Sequence, residues 1–190
     1  MKLKMLIVVL ALQTAWILAT TFVQERTLAG GQVVLLETWP VDPRDLLHGD
    51  YIGLSYKINS VTLNLPPVPG GKVPSGKVPS YAVPFGTTIY VALEPRGQFY
   101  EVALASTNRI TPAPGQVVLK GRCPSSWSVS PGSKVPVEYG LERYYVPEGT
   151  GNPRGKLTVQ VAVPASGEGR IKQVFLDGKP YAEAIKGVAP

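Results

Sequence analysis

The chain has 190 residues, of which 44% are hydrophobic and only 17% charged, against roughly 25% charged in an average soluble domain. It is too short for two domains with substantial cores and too apolar for a charge-driven disordered protein. The formal net charge is +6, but no basic helix, zinc-finger spacing or basic-aromatic core motif accompanies it, which argues against nucleic-acid binding. Gly 20 and Pro 19 make up about a fifth of the residues, a composition that implies many turns and few long helices.

Residues 5–23 (MLIVVLALQTAWILATTFV) are 19 consecutive uncharged residues. As a helix rising about 1.5 Å per residue they nearly cross a hydrocarbon core of roughly 30 Å. The run exceeds the roughly 7–15 apolar residues of a signal peptide, and the closest small-residue cleavage pattern, Thr27-Leu28-Ala29, lies six residues beyond Val23. An uncleaved anchor is therefore expected, with cleavage as the alternative. Lys2 and Lys4 precede the run and Gln24, Glu25 and Arg26 follow it, so the positive-inside rule puts the N-terminus in the cytoplasm. Residues 1–26 read as a cytoplasmic start and single-pass transmembrane helix, and 27–190 as an extracytoplasmic domain in a periplasm or thylakoid lumen. Without Lys2 and Lys4, 17 basic residues face 13 acidic ones, a net +4. The excess is uneven, because 71–134 holds seven basic residues against Glu94 and Glu101. Such a basic central face is either a solvated surface that keeps the domain soluble or one that attracts anionic lipid headgroups, polyanionic envelope polymers or an acidic partner surface.

Beyond the anchor, apolar runs recur between Pro and Gly clusters at 33–39, 51–58, 88–94, 99–105, 117–120, 138–146, 157–163 and 171–176. None has a helical period. The spacing predicts an all-β fold, an antiparallel sandwich or barrel, with hairpins joining 88–94 to 99–105 and 157–163 to 171–176. Asp42 and Pro43 predict a short helix or turn at 42–47. Residues 65–84 (LPPVPGGKVPSGKVPSYAVP) contain two identical Gly-Lys-Val-Pro-Ser copies; frequent Pro fixes φ and removes backbone donors, so an exposed extended loop is expected there.

Cys123 is the single cysteine and His48 the single histidine. A Cys-based metal centre, an intramolecular disulfide and a multi-histidine zinc site are thereby excluded, and neither a metal nor a cofactor is expected. Cys123 is expected to be buried as a small hydrophobe.

Gly49-Asp50-Tyr51-Ile52-Gly53-Leu54-Ser55-Tyr56 fills every fixed position of the pattern G-D-Y-x-x-L-x-Y. Strand alternation puts Ile52, Leu54, Tyr56 and Ile58 on one face and Tyr51, Gly53, Ser55 and Lys57 on the other. Gly49 and Asp50 read as a turn that opens the strand. The segment resembles the signature of the GDYXXLXY family of bacterial membrane-anchored proteins. The lead-in Asp42-Pro43-Arg44-Asp45-Leu46-Leu47-His48 is similar to that family's, as is a second signature from Tyr139 to Gly149 and a terminal hairpin ending Leu176-Asp177-Gly178-Lys179. The resemblance implies a single N-terminal membrane helix, an extracytoplasmic β-domain and a gene neighbour encoding an integral membrane protein, with no biochemical activity attached.

Two readings of the signatures stand side by side. In one they are structural, a turn and a strand of the core. In the other, Arg44, Asp45, Gly49, Asp50, Tyr51, Leu54 and Tyr56 join Glu142, Arg143 and Tyr145 of the second signature in an interaction surface. The layout of anchor, turn, Gly-Asp and a strand bearing Lys57 is similar to membrane-bound signal peptidases, but 39–43 (Trp-Pro-Val-Asp-Pro) supplies no Ser, Thr or Cys nucleophile for Lys57 to activate. The leading expectation is a non-catalytic accessory domain that packs on an integral membrane protein or on copies of itself. A domain binding anionic polymer or lipid, and a cryptic hydrolase using His48, Asp50 and Lys57, are the alternatives.

Overall fold

The computed structural model describes residues 2–39, 51–64, 80–146 and 155–187. The apolar N-terminal run forms α1 (Lys2–Gly30), about 44 Å long at 1.5 Å per residue. Between Lys4 and Arg26 it is long and apolar enough to cross a membrane, and its side chains there are exposed. Within that stretch three hydroxyls find partners in the helix itself: Thr14 donates to the Leu10 carbonyl, and Thr20 and Thr21 both donate to that of Ile17. Threonine is thus tolerated in an apolar surrounding. The helix runs four residues beyond the expected boundary at Arg26, and Gly31 alone separates it from the first strand.

The rest is built from short antiparallel strands: β1 (Gln32–Glu37), β2 (Tyr51–Gly53), β3 (Ser60–Thr62), β4 (Tyr81–Val83), β5 (Thr88–Arg96), β6 (Phe99–Ser106), β7 (Val117–Arg122), β8 (Trp127–Val129), β9 (Lys134–Pro136), β10 (Arg143–Tyr145), β11 (Leu157–Val163), β12 (Arg170–Leu176) and β13 (Lys179–Pro180). A four-residue helix α2 (Tyr181–Ala184) follows. One sheet has the order β1-β11-β12-β13 and a second β6-β5-β7, while β2-β10, β3-β9 and β4-β8 form two-stranded ladders. The all-β domain expected behind the N-terminal helix is the one found.

One contiguous core holds these pieces together, and the alternation of each strand decides what it contributes. Val34 and Leu36 come from β1, Val159 and Val161 from β11, Val174 and Leu176 from β12, Ile89, Val91 and Leu93 from β5, and Val117 and Leu119 from β7. Both expected hairpins form. The first is tighter than its sequence loop, since Arg96 pairs with Phe99 and leaves only Gly97 and Gln98 in the turn. The second turn, 164–169, returns β11 to β12 with one extra residue, Lys172, bulged opposite Gln160 and Val161. Leu176 pairs with Lys179 across Asp177-Gly178, whose φ values of 48° and 81° are those of a type I′ turn.

Three expectations need correction. The run 51–58 is not one strand: Tyr51–Gly53 pairs with β10, Tyr56 bridges to Thr38, and Lys57–Asn59 closes a 3₁₀ turn before β3. Each part serves a different neighbour, so no single ladder spans it. The run 138–146 is interrupted at Gly140, whose φ of 74° is closed to an ordinary strand residue. The Pro-rich stretch is not loop to its end, because Tyr81–Val83 pairs with β8. Residues 65–79, the lead-in 42–47 with Arg44 and Asp45, His48, Gly49 and Asp50 lie outside the described residues. The expected exposed loop, helix and turn at those positions are therefore not described.

Candidate functional site

The two signature segments lie against each other. Tyr51, Ile52 and Gly53 pair in antiparallel register with Tyr145, Tyr144 and Arg143, and the Leu54 amide extends the ladder with a 2.7 Å bond to the Glu142 carbonyl. Residues about ninety positions apart in sequence thus form one element.

The turn that delivers β10 is made locally. Gly140 takes the left-handed conformation, and Glu142 Oε1 accepts a 2.6 Å hydrogen bond from the Tyr139 amide. Glu142 is therefore a turn-closing carboxylate. Two buried phenols then lock the segments crosswise: Tyr56 Oη donates to the Leu141 carbonyl and Tyr139 Oη to the Ile58 carbonyl, each at 2.7 Å. Burial pushes both hydroxyls well above the usual tyrosine range, and the nearby Glu142 carboxylate adds to the shift. Asn59 completes the join, accepting from the Tyr56 amide at 2.8 Å and donating to the Val137 carbonyl at 3.1 Å.

The signature residues thus separate by face. Leu54 and Tyr56 are 3% and 1% exposed, whereas Tyr145 is 74% exposed. The expected inward set of Ile52, Leu54, Tyr56 and Ile58 is buried throughout. On the outward face the Tyr51 and Tyr145 rings lie 6.2 Å apart, tilted by 58°, and the Arg143 guanidinium sits 5.4 Å from the Tyr51 centroid. Tyr144 points the other way and meets Tyr181 edge-on at 5.7 Å. Of the sequence-chosen residues, the structure brings Tyr51, Arg143 and Tyr145 together on the surface and places Leu54, Tyr56 and Glu142 in the support beneath them. Arg44, Asp45, Gly49 and Asp50 fall outside the described residues.

Lys57 is engaged elsewhere. Its Nζ lies 2.6 Å from Glu37 Oε2 and 5.5 Å from the Trp39 ring centroid, while Lys156 binds Glu37 Oε1 at 2.6 Å and stacks 5.3 Å from the Phe99 centroid. The two lysine partners hold the Glu37 carboxyl below its ordinary value. Cys123 is buried as expected, its Sγ donating to the Ser125 carbonyl at 3.0 Å. Among the described residues, no three His, Cys, Asp or Glu side chains gather in a metal-holding group.

Sequence reasoning passed over Tyr139 as an individual residue, although its hydroxyl is the counterpart of Tyr56. It also passed over Phe85 and Trp127, which stand 73% and 42% exposed. The signal for these two was an aromatic ring embedded in a run of Pro, Gly and Ser, without the apolar alternation that marks a buried face.

These features define a class: an all-β domain joined by one residue to an N-terminal apolar helix, with two paired signatures presenting an aromatic-arginine face. The family model described as GDYXXLXY protein matches residues 13–174. The chain belongs to that family, as its signatures indicated. No curated protein and no solved structure matches it.

Proposed function

We propose that this chain is a membrane-anchored accessory domain, extracytoplasmic and single-pass, that docks on an integral membrane protein through the face formed by Tyr51, Arg143 and Tyr145. The observation that carries the reading is the contrast between a deeply fixed base and an exposed cluster upon it. Buried phenol and amide hydrogen bonds fix the segments that flank the β2-β10 ladder, so Tyr51, Arg143 and Tyr145 are presented with little conformational freedom left to lose on binding. Tyrosine and arginine are the residue types that anchor protein interfaces.

The place of this face in the fold refines the partner. β1 rises about 20 Å away from α1, Thr38 just beyond it bridges antiparallel to Tyr56, and the chain from Tyr56 back to Tyr51 continues in that outward direction. The docking face is membrane-distal, which calls for an extracytoplasmic segment of the partner rather than its transmembrane helices. Lys2 and Lys4 before the apolar run support a cytoplasmic N-terminus.

A photo-crosslinking side chain at position 145, with solubilisation in mild detergent, tests the proposal. The expected result is one stoichiometric crosslinked membrane protein, lost when Arg143→Ala and Tyr51→Ala are combined while the melting temperature holds. A strictly monomeric chain without crosslink overturns it, and a crosslink only to a second copy replaces the membrane partner by self-assembly.

A further inference from the structure

The end of the domain nearest α1 has a surface of its own. α1 stops at Gly30 and β1 starts at Gln32, and Gln32 pairs with Val163, so the turn 164–169 and Arg170 stand beside the helix end. Gly167 accepts a 2.8 Å hydrogen bond from the Lys120 amide, which brings β7 to the same end. β7 pairs with β5 so that Arg122 lies opposite Thr88. Hydrogen bonds from the Gly86 amide to the Cys123 carbonyl and from the Cys123 amide to the Thr87 carbonyl then fix the adjoining turn. That turn carries Phe85, whose amide donates to Ser126 Oγ at 3.1 Å, and Trp127 follows on β8 opposite Val83. The opposite end of β5 and β6 is placed independently: Lys156, bound to Glu37 at the far end of β1, lies over the Phe99 ring. The registers therefore agree that Phe85 and Trp127 belong to the helix-proximal end.

Its chemistry is aromatic and basic. Phe85 and Trp127 are 73% and 42% exposed. The same registers bring Lys120, Arg122 and Arg170 to this end, with Lys172 in the bulge two residues further along β12, against Glu138 across from Arg122 and Glu168 in the turn. The membrane-crossing stretch ends at Arg26, leaving four helical residues, about 6 Å of rise. The headgroup zone on each side of the hydrocarbon core is also about 5–7 Å deep. With Gly31 as the sole connection, the domain is held at the headgroup surface with no tether to lift it away.

We propose that this helix-proximal end is a second contact surface, one that seats on anionic lipid headgroups, with Phe85 and Trp127 entering the headgroup layer and Lys120, Arg122, Arg170 and Lys172 facing its phosphates. Aromatic rings favour that layer, and basic side chains within a Debye length of an anionic surface are drawn to it. Lipid is the occupant because the helix that positions this surface emerges through lipid. The proposal rests on α1 being an uncleaved anchor and is independent of the partner docked at the distal face.

The full chain is reconstituted in phosphatidylcholine vesicles with and without phosphatidylglycerol. Trp127 emission, isolated by difference from Trp127→Phe, is read against lipid carrying a headgroup quencher. A blue shift and quenching are expected in the phosphatidylglycerol vesicles, roughly halved by high salt and by Arg170→Glu with Lys172→Glu. Carbonate extraction of the same vesicles separates the two readings. A chain retained in the membrane whose Trp127 is unquenched, or whose quenching ignores phosphatidylglycerol, salt and the charge reversals, overturns the lipid surface and leaves the anchor intact. A chain released by carbonate overturns the anchor and the lipid surface with it. Shielding of Trp127 that appears only on addition of another membrane protein overturns lipid in favour of a protein contact.

Discussion

Tyr56→Phe removes one oxygen atom and leaves the ring, so its consequence isolates what the last tyrosine of the signature does. The ring is 1% exposed and its hydroxyl donates to the Leu141 carbonyl at 2.7 Å. With the donor gone, that acceptor stays buried without its partner, a loss of about 1–3 kcal/mol. A domain of this size loses roughly 2–4 °C of melting temperature per kcal/mol, so a fall of about 2–12 °C is expected. Tyr139→Phe is expected to cost a similar amount, because its 2.7 Å bond to the Ile58 carbonyl joins the same two segments from the opposite side. Since each bond helps hold the geometry of the other, the double variant is expected to lose less than the sum of the singles, with a coupling of about 0.5–1 kcal/mol. Tyr181→Phe is the internal control: its hydroxyl is buried with no hydrogen-bond partner among the described residues, so the substitution is expected to be neutral or slightly stabilising. Thermal melts of the full chain in detergent, followed by near-ultraviolet circular dichroism, give all four values. If Tyr56→Phe and Tyr139→Phe both melt within the error of the unaltered chain, the crosswise phenol lock is wrong and the fixed geometry of the signature face must come from elsewhere.

The same phenols predict an alkaline limit. Their hydroxyls titrate above the unfolded tyrosine value of about 10 in the folded state, so the stability they lend is complete below pH 10 and is lost as pH rises, by up to about 1.4 kcal/mol per pH unit for each ring; denaturant midpoints from pH 8 to 11, compared with the double Phe variant, are the check. At the acid end, Glu37 is depressed by Lys156 and Lys57, so its contribution is present above about pH 4.5 and fades below it; Glu37→Gln is expected to flatten the acid limb of the same curve. Gly121→Ala is expected to cost about 1–3 kcal/mol or more, because an added Cβ would overlap Val137 Cγ1 and stand 2.9 Å from the Glu138 carbonyl oxygen; a melt that does not fall would show that β7 and the 137–138 segment are free to move apart. Gly178→Ala places a Cβ at φ 81° in a two-residue turn and is expected to lower stability by about 1 kcal/mol, read from the same melts.

The amino-acid sequence alone settled what local periodicity controls. A 19-residue uncharged run has no alternative to a long apolar helix, and it formed one. Alternation at 157–163 and 171–176 named both strands of a hairpin, because period two fixes the buried face before any partner is known. The inward side of the signature was legible for the same reason. What periodicity does not contain is the partner. Nothing local says that Tyr51–Gly53 pairs with Arg143–Tyr145, that the chain leaves that ladder at Leu54, or that the Tyr56 and Tyr139 hydroxyls reach each other's segments. Those contacts are chosen by how several strands share one core, a competition decided over ninety residues of separation. The tertiary structure likewise set which end of the domain faces the helix, since position relative to α1 follows from a succession of registers rather than from any one residue. Sequence therefore determined the helix, the two long hairpins and the buried face of the signature; only folding decided that Phe85 and Trp127 stand toward the end nearest the helix while Tyr51, Arg143 and Tyr145 share a face at the other.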